Sequence, residues 1–183
     1  MSQFYTRRGD DGTTGVLGEG RVPKYDLRME ALGAVDEATA ALGQARALSA
    51  PPLTDLLLQL QRSLYRLMAE VAATPENAER FLSIDAAQVA WLEAVTDEWV
   101  ARVKMPREFI VPGDTRLGST LALARTIVRR AERRVAELLA RGDITNTDLL
   151  AYLNRLSSLC FALELAADQS AGGSSTLARD GTS

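Results

Sequence analysis

Five long stretches of this chain repeat apolar residues at every third or fourth position, and proline, glycine or polar breakers separate them. Such spacing gathers the apolar side chains on one helical face, so each stretch predicts a helix with a stripe to bury. The first runs from about Asp26 to Leu48, with Met29, Leu32, Val35, Ala38 and Leu42 on the stripe and Asp26 as N-cap. Ala50-Pro51-Pro52 interrupts it. The second runs from about Leu53 to Ala73 on Leu56, Leu60, Leu64, Leu67 and Val71, and Pro75 stops it. A polar connection, 74–83, leads to a third helix from about Asp85 to Lys104, with Val89, Leu92, Val95 and Trp99 inward. The fourth spans about Leu117 to Arg141 before Gly142, and the fifth runs from Asn146 or Thr147 to about Ser170 on Leu149, Leu153, Leu156, Cys160 and Leu163. No repeat and no strand is predicted. The expected fold class is all-α: a five-helix bundle in a single domain over 1–170, with an N-terminal glycine-rich loop. A Gly/Ser-rich tail, 171–183, is expected to be disordered.

Composition narrows the chemistry. The 183 residues contain no histidine and one cysteine, Cys160. Imidazole bases, Ser–His hydrolysis and histidine ligands to zinc, haem or cobalt are therefore excluded. A lone cysteine makes no internal disulfide, which suits a reducing, cytoplasmic setting. A net charge of −3 argues against bulk binding to nucleic acid. The early residues are polar and do not resemble a secretory leader, and no apolar run is expected to approach the roughly 18–20 residues of a membrane span. An enzyme of this composition works by positioning, carboxylates, arginines and a bound metal, the usual means of handling nucleotide phosphates.

Four constellations bear polar chemistry. Thr6, Arg7, Arg8, Gly9, Gly12, Thr13, Thr14 and Gly15, joined by Lys24, offer backbone N–H groups, hydroxyls and positive charge to phosphate oxygens, though not at Walker spacing. The same residues equally describe a plain N-terminal arm. Arg125, Arg129 and Arg133 recur every four residues, with Arg130, Arg134 and Glu132 beside them. That row is either a triphosphate cradle or a solvated charged face. Asp36 and Glu37 lie beside a buried stripe, where a carboxylate calls for a partner such as an arginine of the fourth helix. Asn154 follows an inward leucine, fitting either a ribose or phosphate contact or an interhelical hydrogen bond. Cys160, within a core stripe, reads as packing, and Trp91 and Trp99 as core or interface aromatics.

Together, Tyr5-Thr-Arg-Arg-Gly-Asp-Asp-Gly-Thr-Thr14, Val35-Asp-Glu37, Ala124-Arg-Thr-Ile-Val-Arg-Arg-Ala-Glu-Arg-Arg134 and Tyr152-Leu-Asn-Arg-Leu-Ser157 resemble the cobalamin adenosyltransferases of the propanediol-utilisation type. The resemblance runs from Tyr5 to about Ala167. It implies a five-helix bundle assembled as a homotrimer, with ATP between neighbouring subunits. It further implies transfer of the 5′-deoxyadenosyl group of ATP to the cobalt of cob(I)alamin or a related corrinoid, releasing triphosphate. Thr6, Arg7, Arg8, Gly9, Thr14 and Lys24 would wrap the nucleotide, and Arg129, Arg130, Glu132, Arg133 and Asn154 would complete its site. Mg²⁺ would be held mainly by the ATP phosphates. Asp36 and Arg125 match a pair used across the subunit interface, and Phe109, with Phe161, matches the corrinoid side. Hand-over of product to an adenosylcobalamin-dependent enzyme is also implied. The chain departs from the pattern at Asp114, where a glycine is usual, and at Ser158, where an aspartate is. Rival readings are a carrier that binds the product without making it, and a structural bundle with salt-bridged arginines.

Overall fold

Each apolar stripe meets a neighbour in the computed structural model, which describes residues 5, 7–173 and 175–179. Among these residues the order is β1 (Thr13–Gly15), β2 (Arg21–Pro23), α1 (Leu27–Ala47), α2 (Leu53–Ala72), a 3₁₀ helix (Pro75–Phe81), α3 (Ala86–Val100), α4 (Arg116–Arg141) and α5 (Asp148–Ser170). Caps fix the helix ends. The Asp26 carboxylate accepts from Arg28 N–H, Asp85 forms a capping box with Gln88, and Gly142 closes α4 in the left-handed region at φ 77°. At the start of α5 the cap bond is made by Asn146, whose Oδ1 accepts from Asp148 N–H at 3.0 Å.

α1, α2, α4 and α5 bury Val35, Ala38, Leu42, Leu60, Leu64, Leu67, Val128, Val135, Leu153 and Leu156 in one core, and α3 packs outside against α5. α3 is shorter than the sequence suggests and fully buries only Leu92; Val89, Val95 and Trp99 are half-covered because a single neighbour screens them. α5 corrects the expectation that nothing here is apolar enough to span a membrane. Its 23 residues suffice by length and composition, with a mean hydropathy of 1.3 over 18 of them. Arg155 and Glu164 break any continuous apolar run but are tolerated in that average. Since 61% of that stretch is buried inside the bundle, its hydrophobicity is accounted for by packing.

The N-terminal arm contains a feature not expected from its sequence. β1 and β2 pair antiparallel, Thr14 opposite Val22. The polar, glycine-bearing strands have no apolar alternation for a pattern search to find. Arg21 knits the hairpin, donating from Nε to Thr13 Oγ1 at 2.8 Å and from Nη2 to the Arg8 carbonyl at 2.6 Å. The arm is tied to the bundle where Leu17 N–H donates to the Ala72 carbonyl at 2.9 Å. Gly18 is required there, because a Cβ would lie 2.2 Å from the Thr74 hydroxyl and the backbone has φ 154°. Arg28, at the start of α1, donates to the Ala73 carbonyl at 2.9 Å and to the Asp143 carbonyl at 2.9 Å, satisfying carbonyls at the helix ends.

The tail expectation needs correcting as well. Val111 N–H donates to the Thr176 carbonyl and Ala178 N–H to the Phe109 carbonyl, both at 2.8 Å, so this part of the tail pairs with the loop before α4. The Asp114 carboxylate fastens it, accepting from Thr176 N–H at 2.8 Å and from its hydroxyl at 2.6 Å. These bonds hold the Asp114 carboxyl below its ordinary range. Composition alone suggested a tail without partners; Asp114 supplies one.

Candidate functional site

α4 is the spine of the site. Its inner face packs on α1 and α5 through Leu121, Ala124, Val128, Ala131 and Val135. Its arginines emerge on the flanks of that stripe and divide into two rows. Arg130 forms an ion pair with Glu37, and Arg134 approaches Glu30 at 3.9 Å and Glu137 at 3.2 Å. The carboxylates Glu37 and Glu30 lie on α1, so this row laces the two helices together. The anticipated pairing of a first-helix carboxylate with a fourth-helix arginine thus falls to Glu37 and Arg130. Asp36 is exposed and pairs with no arginine among the described residues.

The second row, Arg125, Arg129 and Arg133, is different. Arg129 and Arg133 are exposed and have no carboxylate partner among the described residues; Arg133 donates only to the Arg129 carbonyl, at 2.9 Å. Two guanidinium groups one turn apart without counter-charge repel each other unless an anion arrives. Close by on α5, Asn154 donates to Glu132 at 2.8 Å and accepts from Arg155 at 2.7 Å. Within one chain its amide is therefore the interhelical hydrogen bond. The hydroxyl of Ser158, one of the departures, lies 3.5 Å from the Asn154 carbonyl.

About 6 Å further along α4, at one residue per 1.5 Å, Arg125 enters a cavity of about 440 Å³. Phe109, Ile110, Pro112, Phe161 and Glu164 line it with Arg125. Phe109 is 90% exposed at its rim, an aromatic ring that contributes almost nothing to the core. The Arg125 guanidinium lies 5.8 Å from the centroid of Phe161. Glu164, 1% exposed, faces Arg125 at 4.0 Å. Burial pushes its carboxyl up to about 7; Arg125 opposes this, while Asp168 and Asp114 add to it. Asp168 is itself buried and accepts from the Thr115 hydroxyl at 2.7 Å. Gly118 makes this approach feasible, since a Cβ there would lie 2.1 Å from Asp168 Oδ1. Cys160, fully buried, has its thiol pushed up to about 12 by desolvation, so it packs and does not react.

The arm lies elsewhere. Lys24 Nζ would be 3.1 Å from a Cβ on Gly9, so its side chain lies against the Gly9 turn, and Arg7 holds φ 59° with its guanidinium 5.5 Å from the Tyr5 ring centroid. Arg8 offers its carbonyl to Arg21, and Thr14 lies in β1. Thr6 lies outside the described residues. No hydrogen bond or ion pair joins Arg7, Gly9, Thr14 or Lys24 to Arg129, Arg133 or Asn154. The arm is anchored at the end of the bundle where Arg28 meets Asp143, and Arg129 is about 18 Å along α4 from that end. Two functional-looking groups escaped the sequence reading. Arg21 resembled any loop arginine, and Glu164 fell next to Leu163 and Leu165 with only its place in an apolar run to mark it.

Comparison with known proteins resolves the class. A family model described as cobalamin adenosyltransferase matches residues 4–167. The corrinoid adenosyltransferase of Bacillus subtilis is 40% identical over 165 residues, covering 87% of this chain and 83% of that protein. The corrinoid adenosyltransferase PduO of Salmonella typhimurium is 39% identical over 172 residues, covering 92% of this chain but 50% of its own length. Among solved structures, a phenylalanine-to-alanine variant of a PduO-type ATP:corrinoid adenosyltransferase from Lactobacillus reuteri, complexed with cobalamin and ATP, matches with a TM-score of 0.89 at 33% identity. That match covers 97% of this chain and 100% of the other. The chain belongs to the cobalamin adenosyltransferase family.

Proposed function

We propose that this protein transfers the 5′-deoxyadenosyl group of ATP to the cobalt of a cob(I) corrinoid, with release of triphosphate. One observation carries the reading: on a single helix, Arg129 and Arg133, without carboxylate partners among the described residues, stand next to a largely apolar cavity with an exposed aromatic at its rim. A polyanion and a flat apolar macrocycle are thereby offered adjacent berths. Relatives named as corrinoid adenosyltransferases, and a neighbour complexed with cobalamin and ATP, support the same substrates.

The chemistry asks little of side chains as acids or bases. Cob(I) is itself the nucleophile: its electron pair attacks the ribose C5′, the new bond is carbon–cobalt, and the broken bond is that from C5′ to the triphosphate oxygen. Arg129 and Arg133 would neutralise the departing charge, with Arg130, Glu132 and Asn154 bordering them, while Arg125, Phe109 and Phe161 shape the corrinoid side. Phe109 would press on the lower face of the ring and keep an axial ligand away. Mg²⁺ enters this proposal on the phosphates; among the described residues no three His, Cys, Asp or Glu side chains converge to hold an ion. When bound, it spreads the triphosphate charge.

The arm, with Thr6, Arg7, Arg8, Gly9, Thr14 and Lys24, completes the nucleotide site from a neighbouring subunit. The separation of arm and arginine row within one chain supports that arrangement. Asp36, exposed on α1, would meet Arg125 across the same interface of a homotrimer. Cytoplasmic residence and hand-over of the product to an adenosylcobalamin-dependent enzyme belong to the same reading. Mixing the protein with ATP, magnesium and chemically reduced cobalamin should give the absorbance of a carbon–cobalt bond and one triphosphate per turnover. Binding of both substrates with neither product would leave a carrier in its place.

A further inference from the structure

Carboxylates buried in this bundle are satisfied, with one exception. Glu70 accepts from Ser83 N–H and Oγ–H, each at 3.0 Å, and from Asn146 at 2.7 Å. Asp168 accepts from Thr115. Glu164 is as deeply buried as Asp168, yet neither of its oxygens has a hydrogen-bond partner among the described residues, and the same is true of Arg125 Nε. The two groups face each other at 4.0 Å, too far for a hydrogen bond. Buried polar atoms are nearly always paired, so three unpaired ones on one cavity wall call for a ligand.

The pattern of those atoms specifies its chemistry. Arg125 Nε is a donor only, and the ionised Glu164 carboxylate is an acceptor; the two residues line the cavity with Phe109, Ile110, Pro112 and Phe161, while Pro106, Arg107 and Glu108 complete the lining from the loop before α4. A primary carboxamide is the complement of that pair, its carbonyl accepting from Arg125 and its NH₂ donating to Glu164. Corrinoids carry such groups around the ring as acetamide and propionamide side chains, and their biosynthetic precursors carry carboxylates at the same positions. We infer that Arg125 and Glu164 together read a peripheral carboxamide of the corrinoid, so that the enzyme favours amidated over carboxylated macrocycles. Above about pH 7, where Glu164 is ionised, a carboxylate in that place offers it no donor and sets one anion against another, so rejection of the wrong substrate comes from the same residue that holds the right one, and the two kinds of corrinoid are compared at about pH 8. The terminal nitrogens of Arg125 are left for Asp36 of a neighbouring subunit. Glu164 acts on specificity and takes no part in bond formation.

This inference rests on the adenosyltransferase reading, and the test separates the two. Adenosylation of reduced cobinamide, which is amidated, and of reduced cobyrinic acid, which is carboxylated, is compared in the wild type, Glu164→Ala and Glu164→Gln, along with equilibrium binding of both corrinoids in the cob(II) state. The wild type should prefer cobinamide in both measurements. Glu164→Ala should lower that preference about tenfold through the KM for cobinamide, leaving the KM for ATP unchanged. Glu164→Gln, which keeps an acceptor and loses the charge, should hold cobinamide within about threefold and accept cobyrinic acid better. Glu164→Ala also removes the ion pair with Arg125, so melting temperatures are recorded for each variant, and Glu164→Gln, which keeps the side-chain volume, gives the same reading of corrinoid preference if Glu164→Ala is poorly folded. An unchanged corrinoid preference in Glu164→Ala overturns the inference. Selective binding of cobinamide without adenosylation by any variant overturns the transferase reading and leaves the carboxamide contact standing.

Discussion

Two flanks of α4 hold arginines of the same helix in opposite circumstances. Arg130 and Arg134 face the carboxylates Glu37 and Glu30 of α1, whereas Arg129 and Arg133, one residue earlier in each case, face none among the described residues. A helix advances by 100° per residue, so a shift of one position moves a side chain from the seam between two helices to open surface. The lesson is that a charge run is neither wholly structural nor wholly functional. One flank is neutralised by the chain itself, and the other is the one proposed to receive the triphosphate.

The sharpest test of the contrast lies at the end of the open row. Phe109→Ala should cut adenosylation about a hundredfold, by loosening the reacting geometry, with ATP affinity unchanged. Equal losses in both would remove Phe109 from the corrinoid side. Next, Arg129→Ala should weaken ATP binding by about 1.5–3 kcal/mol in calorimetry while thermal stability stays within about 0.5 kcal/mol, because no intrachain partner is lost. ATP affinity equal to wild type would return Arg129 to the solvated face. Asp36→Asn should lower the trimer population in sedimentation, together with turnover; intact trimers with full activity would break its pairing with Arg125.

Smaller effects follow on the satisfied side and in the cavity. The carboxyl of Glu164 is pushed from 4.5 in the unfolded chain up to about 7 in the fold, so the folded state binds the extra proton between those values. Stability should therefore fall as pH rises from about 4.5 to about 7, and Glu164→Ala should flatten that slope in thermal melts. The groups facing it are Arg125, Asp168 and Asp114, none of which the substitution touches. A pH dependence unaltered in the variant would place the titration elsewhere. Smallest of all, Arg134→Ala should cost about 0.2–1 kcal/mol, since its pairs are half-exposed, and leave ATP affinity alone. A large loss of ATP binding there would erase the distinction between the flanks.

The helices were legible in the sequence because burial imposes a period that residues report directly: Leu149, Leu153, Leu156, Cys160 and Leu163 all end up fully buried. So did the caps Asp26 and Gly142, whose backbone needs are local. The hairpin of 13–23 was not legible, being held by Arg21 and a short polar ladder, not by an apolar face. Nor was the pairing of residues 176–178 with 109–111, which depends on Asp114 approaching from 62 positions away.

For the candidate site the division is similar. The arginine spacing and the absence of histidine belong to the chain as written, because composition and helical period are properties of neighbours in sequence. Which arginines α1 neutralises, that Glu164 faces Arg125 without a hydrogen bond, and that the arm stands apart from the row it is proposed to serve were decided by packing alone. The reason is physical: pairing energies depend on distance and solvent exposure, and both arise only when helices separated in sequence are brought side by side.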